Sequence, residues 1–342
     1  MTEYFNKTNR SWRISQCCQF FDPKLVKTYN VGTTTKTTAL GPNGKQKVQE
    51  KALANLDKLY KTLSEYFAKQ PVNLRSFRIS TTLLPVFTVD EAKPWYQEID
   101  DKIKIKLERI GKVAKDNEIR LSMHPGQYTV LASNNSDVVK NSIEDVEYHS
   151  MIGKYMGLNP RDFVVNIHLQ GVYKGTREEG INRFATNFQY LSDYAQQCLA
   201  VENEDKPNGY DIEHVLDLCS RIPTRATFDI HHYDCWGRKQ RTYPTVNLPE
   251  FQEAAKTWGS VRPLFHVSHT RQENGVDVSK ALEHSEILHD EDRLAAMTPM
   301  LEYADFDIEA KNKEVAVNHA YNFFKQEELF AGEPLLCKTY NE

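Results

Sequence analysis

The sequence predicts a single (β/α)8 barrel, and three observations carry that expectation. Eight short apolar runs, rich in β-branched residues, alternate with longer helical patterns. Such alternation implies parallel βαβ units. No linker divides the 342 residues, so the eight units are expected to close one domain over residues 1–342. The structural alternative is an open, doubly wound sheet. No glycine-rich dinucleotide or phosphate-loop fingerprint follows the first strand to support it.

The expected strands are Trp12–Cys17, Leu74–Ile79, Ile119–Met123, Phe163–Leu169, Cys198–Val201, Ala226–Ile230, Leu264–Val267 and Phe306–Ile308. Helical patterns fall at 46–69, 97–117, 138–157, 180–195 and 211–220, with Asp211 as an N-cap for the last. Lys311–Lys325 reads as a final helix, at the start of a C-terminal segment 311–342. The threonine-rich, glycine-bearing stretch 31–44 is expected as a loop at the barrel mouth.

Composition sets bounds on function. With 40% hydrophobic and 26% charged residues, the chain suits a water-soluble protein with a large core. No run approaches the eighteen apolar residues of a membrane span, and the polar start 1–13 lacks a signal-peptide core. Six cysteines without CxxC spacing read as reduced thiols of a cytoplasmic protein. A net charge of −4 argues against indiscriminate binding to nucleic acid, but leaves room for DNA on one face.

The chemistry lies at the strand ends. His124, His168, Glu202 and Asp229 close the third to sixth strands; His266 lies in the seventh, and Glu309 closes the eighth. In a barrel those ends form one face, the face that carries active sites. A lone strand histidine is more often a core residue than a ligand. Three buried carboxylates converging with three histidines are different, because they need compensating positive charge. No strand-end Lys or Arg is placed to supply all of it. Bound divalent ions would, and an imidazole–carboxylate set without thiolate suits Mn²⁺, Zn²⁺ or Fe²⁺. Six or more ligands imply two or three ions.

Other residues leave alternatives open. His231 and His232 would point to opposite sides of an extended chain, so only one is expected as a ligand. His284 and His269 read equally as loop-borne ligands or surface residues. His149, His214, His289 and His319 read as surface histidines. The basic run with Arg238, Lys239 and Arg241, beside Trp236, is either a solvated face or a phosphate contact. Tyr128, Tyr173 and Tyr233 follow strands and could meet bases or pack loops.

At RLSMHPGQY (120–128), VVNIHLQGVYKG (164–175), VENED (201–205), FDIHH (228–232), FHVSH (265–269) and DIEAKNKE (307–314), the chain resembles the UV-damage endonucleases. These are a branch of the xylose-isomerase-like barrels related to endonuclease IV. The resemblance implies His124, His168, Glu202, Asp229, His232, His266, His284 and Glu309 as ligands of two or three ions. Manganese is expected first, with zinc or magnesium as alternatives. It favours His232 over His231, and makes Gln127 and Tyr128 the pair inserted into a duplex at the lesion. Glu202, Asp229, Glu309 and His232 become the expected catalytic set.

The implied activity is hydrolysis of the phosphodiester immediately 5′ to a UV photoproduct, leaving a 3′-hydroxyl and a 5′-phosphate. The expected partner is damaged double-stranded DNA, met by a monomer, with abasic sites as a further substrate and a cellular or phage origin. The chain departs from the family pattern at three places. Val89 and Asp90 stand where the family places a histidine, Leu264 where some members carry a modified lysine, and Gln16 near a second probing aromatic. The rival readings are a metal-dependent sugar isomerase or epimerase and a damage-binding protein without cleavage.

Overall fold

The computed structural model describes residues 11–236, 243–273, 276–277 and 283–331. Eight parallel strands form the barrel: β1 (Ile14–Cys17), β2 (Ser76–Ile79), β3 (Arg120–Met123), β4 (Val164–His168), β5 (Leu199–Glu202), β6 (Arg225–Thr227), β7 (Leu264–Val267) and β10 (Asp305–Ile308). A short hairpin, β8 (Gln272–Glu273) and β9 (Val276–Asp277), lies between the last two. The hydrogen-bonded order is β6-β5-β4-β3-β2-β1-β10-β7. A parallel bridge between Asp229 and His266, just past β6, joins the two ends of that order. The backbone of His266 donates to the Phe228 carbonyl at 3.1 Å there.

The strands are short and buried along nearly their whole length. Helices cover the outside and side chains fill the inside, so the strands are buried on both faces, although Ser76–Ile79, Arg120–Met123 and Asp305–Ile308 alternate polar with apolar residues. Register brings the carboxyl ends level: His168 pairs with Glu202, and Asp307 with His266. The opposite end is tied by Asp305 at the start of β10. It accepts hydrogen bonds from Arg120, from Arg262 and from the backbone of Arg13, at 2.7, 2.6 and 2.8 Å.

The helices follow the sequence pattern with local differences. The 46–69 pattern is an α-helix over Gly44–Lys61 that loosens into a π turn at Thr62–Tyr66 and ends as a 3-10 turn. The 97–117 and 138–157 patterns become Asp100–Asp116 and Ser136–Tyr155, the latter capped by Asn135. The 180–195 pattern is two helices, Arg177–Phe188 and Asp193–Cys198. Ser192 breaks it by capping the second, accepting from Ala195. Asp211 caps Ile212–Arg221 as expected, and the final helix spans Glu314–Ala331.

The expected strand Ala226–Ile230 is a correction. β6 stops at Thr227, and Ile230–Trp236 is helical, because the Asp229 side chain accepts from the His232 backbone at 2.7 Å and opens a helix. The 31–44 stretch is loop apart from one short turn at Lys36–Ala39.

Candidate active site

Glu202 is the centre of the barrel mouth. It is fully buried, and its carboxylate is ringed by imidazoles. Oε2 lies 3.1 Å from His124 Nε2, 3.2 Å from His266 Nδ1 and 3.9 Å from His168 Nε2. Oε1 lies 3.2 Å from His232 Nδ1. The amide of Asn166, two residues before His168 on β4, donates to Oε2. Glu309 approaches from the end of β10, with Oε1 3.3 Å from His266 Nδ1 and Oε2 3.7 Å from His284 Nδ1. Asp229 completes the set 3.9 Å from His232. The eight residues named as candidate ligands therefore converge.

Backbone carbonyls orient three of the histidines. Nδ1 of His124 lies 2.9 Å from the Pro125 carbonyl, Nδ1 of His232 2.9 Å from that of Asn203, and Nδ1 of His284 2.8 Å from that of Glu309. A carbonyl only accepts, so Nδ1 carries a proton in each of the three, and Nε2 is the nitrogen that would be left to face a cation. Metal-binding histidines are held in this way. Three groups each place one donor atom per residue within 4.8 Å of the others: His124–His168–Glu202, His124–His266–Glu309 and Glu202–Asp229–His266. His124, Glu202 and His266 each belong to two groups, the pattern of shared ligands. Glu202 Oε1, Asp229 Oδ2 and His266 Nδ1 are buried without a hydrogen-bond partner. Buried polar atoms are rarely left so. The donor set and these orphaned atoms fit divalent cations.

Electrostatics say the same. Burial drives the His168 ring down to about 3, keeping it neutral. Burial would lower His266 too, but Glu202 and Glu309 carry it up to about 9. Burial alone would raise the Glu202 carboxyl; His266 and His168 instead hold it well below the usual carboxylate range. Asp229 is pushed up by burial, against the pull of His232. The cluster thus balances its carboxylates by protonating His266 rather than His168, a role that bound cations would take over by displacing the proton.

Sequence reasoning missed four contributors. Arg78, in the middle of β2, is buried and pairs with Glu309, and its guanidinium lies 3.7 Å from Asp307. It supplies part of the positive charge that strand-end residues do not. Asp307 sits 3.6 Å behind His266 Nε2. Asn166 holds Glu202, and Asn203 exchanges hydrogen bonds with the backbone of Asp229. The signal was available: each is a polar residue inside an apolar strand or directly at its end.

The histidine expectations divide. Helical geometry, with successive side chains about 100° apart rather than opposed, separates His231 from His232. His231 is buried beside His284, at 5.2 Å between ring centroids, and His232 faces Glu202. His269 is buried against His289 and accepts from the Asp290 backbone at 3.2 Å. His149 is a correction: it is buried, not a surface residue, because its helix face packs behind the 126–130 loop. Its Nδ1 donates to the Asp145 carbonyl at 2.7 Å. His214, half-buried, bonds its own cap residue Asp211.

Around the mouth, Tyr128 is 84% exposed while Thr129 behind it is buried. Tyr173 is half-exposed, with its hydroxyl on Ser133 Oγ at 3.0 Å and a positive φ of 55°. Non-glycine residues held there store strain. Tyr233 packs on Phe228, the loop-packing alternative. Trp236 lies under the Arg177 guanidinium, 5.6 Å from the ring centroid. Arg238, Lys239 and Arg241 lie outside the described residues. Asp90 turns away from the cluster to an exposed pair with Lys93 at 2.6 Å, and Gln16 is buried with its amide on the Gln19 carbonyl. Cys17, Cys18, Cys198, Cys219 and Cys235 are free thiols; Cys337 lies outside the described residues.

A closed parallel barrel whose carboxyl-terminal mouth gathers histidines and carboxylates defines a TIM barrel with a metal-competent centre. The UV-endonuclease UvdE family model matches residues 19–330, and the chain belongs to that family. A UV-damage endonuclease of Schizosaccharomyces pombe is 30% identical over 289 residues, 83% of this chain and 46% of the relative. A UV DNA damage endonuclease of Clostridium perfringens is 28% identical over 294 residues, 84% of this chain. The chain spans less than two thirds of these relatives, 65% of the length of the second and 46% of the first. Among solved structures, that of SacUVDE superposes with a TM-score of 0.77 at 26% identity, covering 93% of this chain and 99% of its own. Endonuclease IV from Thermus thermophilus, at 13% identity and a TM-score of 0.52, shares the fold.

Proposed function

We propose that this barrel cuts double-stranded DNA at the phosphodiester immediately 5′ to a UV photoproduct, with abasic sites as a further substrate. Water adds to phosphorus, the P–O3′ bond breaks, and the products are a 3′-hydroxyl and a 5′-phosphate. One observation carries the reading: the Glu202-centred cluster lies at the carboxyl ends of the strands, and the loop that leaves the same end of β3 carries the exposed Tyr128. His124, His168, Glu202, Asp229, His232, His266, His284 and Glu309 would hold two or three divalent ions, manganese first, with zinc or magnesium as alternatives. Bound there, such ions would polarise the phosphodiester, lower the pKa of the attacking water and neutralise the leaving oxygen.

The protein's own residues supply the rest. Glu202, reached by four imidazoles, is the shared ligand; Asp229, Glu309 and His232 fix the other edges of the cluster. Arg78 holds Glu309. Gln127 and Tyr128 enter the duplex at the lesion. A photodimer is already poorly stacked, so opening it costs less than opening an intact step. Tyr173 and Trp236 offer stacking faces, and Arg238, Lys239 and Arg241 contact phosphates. The protein acts as a monomer, with residues 1–342 as one catalytic unit.

The test is a duplex carrying one photodimer, labelled on either strand and incubated with the protein and Mn²⁺. A single cut 5′ to the dimer, ligatable through its 3′-hydroxyl and 5′-phosphate, is expected. Cuts on the 3′ side, or products lacking those termini, would overturn the reading.

A further inference from the structure

The loop that carries Tyr128 is short and exposed at its tip, yet it is anchored on both sides. On one side stands the helix Ser136–Tyr155, whose Ser142, Asp145 and His149 share a face at spacings of three and four residues. Ser142 Oγ accepts from the Val130 backbone at 2.8 Å. Asp145 Oδ2 accepts from the Thr129 hydroxyl. His149 is fully buried against Asp145, with Nδ1 2.7 Å from its carbonyl and 3.5 Å from Oδ1. On the other side Gln170, two residues past His168, donates its amide to the Gln127 carbonyl at 2.8 Å. Within the loop, the Thr129 backbone donates to the Gly126 carbonyl at 3.0 Å, closing a turn with Gln127 and Tyr128 at its tip.

Every backbone or side-chain bond here lands on residues flanking Tyr128, and none of those named touches its ring. An aromatic ring 84% exposed to water has no packing of its own to fix its direction. That direction is set by the turn beneath it. Three residues separate Tyr128 from His124, so the same turn fixes the wedge relative to the cluster.

We propose that Asp145, through Thr129, and Gln170, through the Gln127 carbonyl, are positioning residues that preset the Gln127–Tyr128 turn, so that Tyr128 meets the duplex already aimed. The proposal rests on the reading of Tyr128 as a wedge. Preorganisation of this kind removes an ordering cost from binding and leaves the reacting centre unchanged. Losing it therefore weakens recognition of lesion DNA, not turnover of bound DNA.

The experiment compares Thr129→Val, Tyr128→Ala and the double variant in binding and single-turnover cleavage of a photodimer duplex. Val keeps the shape of Thr and removes only the hydroxyl that Asp145 accepts from. Melting temperature and bound manganese are measured for each. The expected result is a KM or Kd for Thr129→Val raised about tenfold, as for one hydrogen bond to a charged group, with unchanged kcat. In the Tyr128→Ala background the same change is expected to cost nothing further. Wild-type affinity of Thr129→Val, beside a weakened Tyr128→Ala, would overturn the proposal and leave the wedge standing. A full additional loss in the double variant would also overturn it. Wild-type affinity of Tyr128→Ala would remove the wedge itself, and the proposal with it.

Discussion

Replacing Glu202 by Gln removes one negative charge from the centre of the mouth and keeps the shape. A carboxylate 3.2 Å from an imidazolium, at an effective dielectric near 20, gains about 5 kcal/mol of Coulomb attraction. Desolvation of the buried carboxylate cancels several kcal/mol of that. The histidines around the substituted amide lose part of what holds their protons and can release them, so folding should change by only about 1–2 kcal/mol. A divalent ion has no such escape, because it loses a charged ligand shared between two groups. A loss of about 3–4 kcal/mol in the cluster's capacity to hold charge is about 10²–10³-fold in rate. The assay is nicking of irradiated supercoiled plasmid, beside bound manganese by mass spectrometry and a melting curve. An intact fold with metal content and nicking both strongly reduced is expected. Wild-type nicking by Glu202→Gln would refute the placement of this residue at the centre of the chemistry.

Three further predictions concern other parts of the molecule. Asp305→Asn leaves half-buried Arg120 and buried Arg262 without their carboxylate and should cost about 3–5 kcal/mol at pH 7. Burial would raise the Asp305 carboxyl, but the two arginines hold it below its usual range. Its contribution is therefore present above the unfolded pKa near 4 and lost as pH falls through the lowered folded value. Urea midpoints of the two proteins should converge in strong acid; a constant gap would contradict the ion pairing. Manganese at about a hundred times its Kd should stabilise the fold by about 2.7 kcal/mol, and chelator should reverse it; a melting temperature indifferent to both would exclude binding to the folded state. Tyr128→Ala should weaken lesion binding by about 1–3 kcal/mol, the worth of one base stack, with unchanged metal content; equal loss on intact DNA would argue against lesion probing.

What was legible in the sequence follows from physical constraint. The strand ends could be read because a ligand candidate at the carboxyl end of a parallel strand breaks an apolar run, as in LAVEN. Eight candidate ligands accordingly meet in space. Arg78 escaped because it lies inside FRI rather than at its end, and only the register of β2 against β1, and of β1 against β10, brings it to Glu309. His149 looked like a surface residue because charged neighbours surround it in sequence; helical spacing turns it inward with Ser142. The helix at Ile230–Trp236 could not be read from periodicity, since its seven residues complete barely two turns and its start depends on a cap made by the Asp229 side chain. The break at Ser192 is likewise set from outside, by Glu147 accepting from the Ser192 backbone and hydroxyl.

The central claim is lesion-dependent, cation-dependent strand cleavage. The most direct measurement incubates irradiated and untreated supercoiled plasmid with the protein and Mn²⁺, with and without chelator. Nicking of the irradiated plasmid alone, abolished by chelator, is the predicted result. Bound metal without nicking of either plasmid would contradict the account and favour a sugar isomerase or a damage-binding protein built on the same barrel.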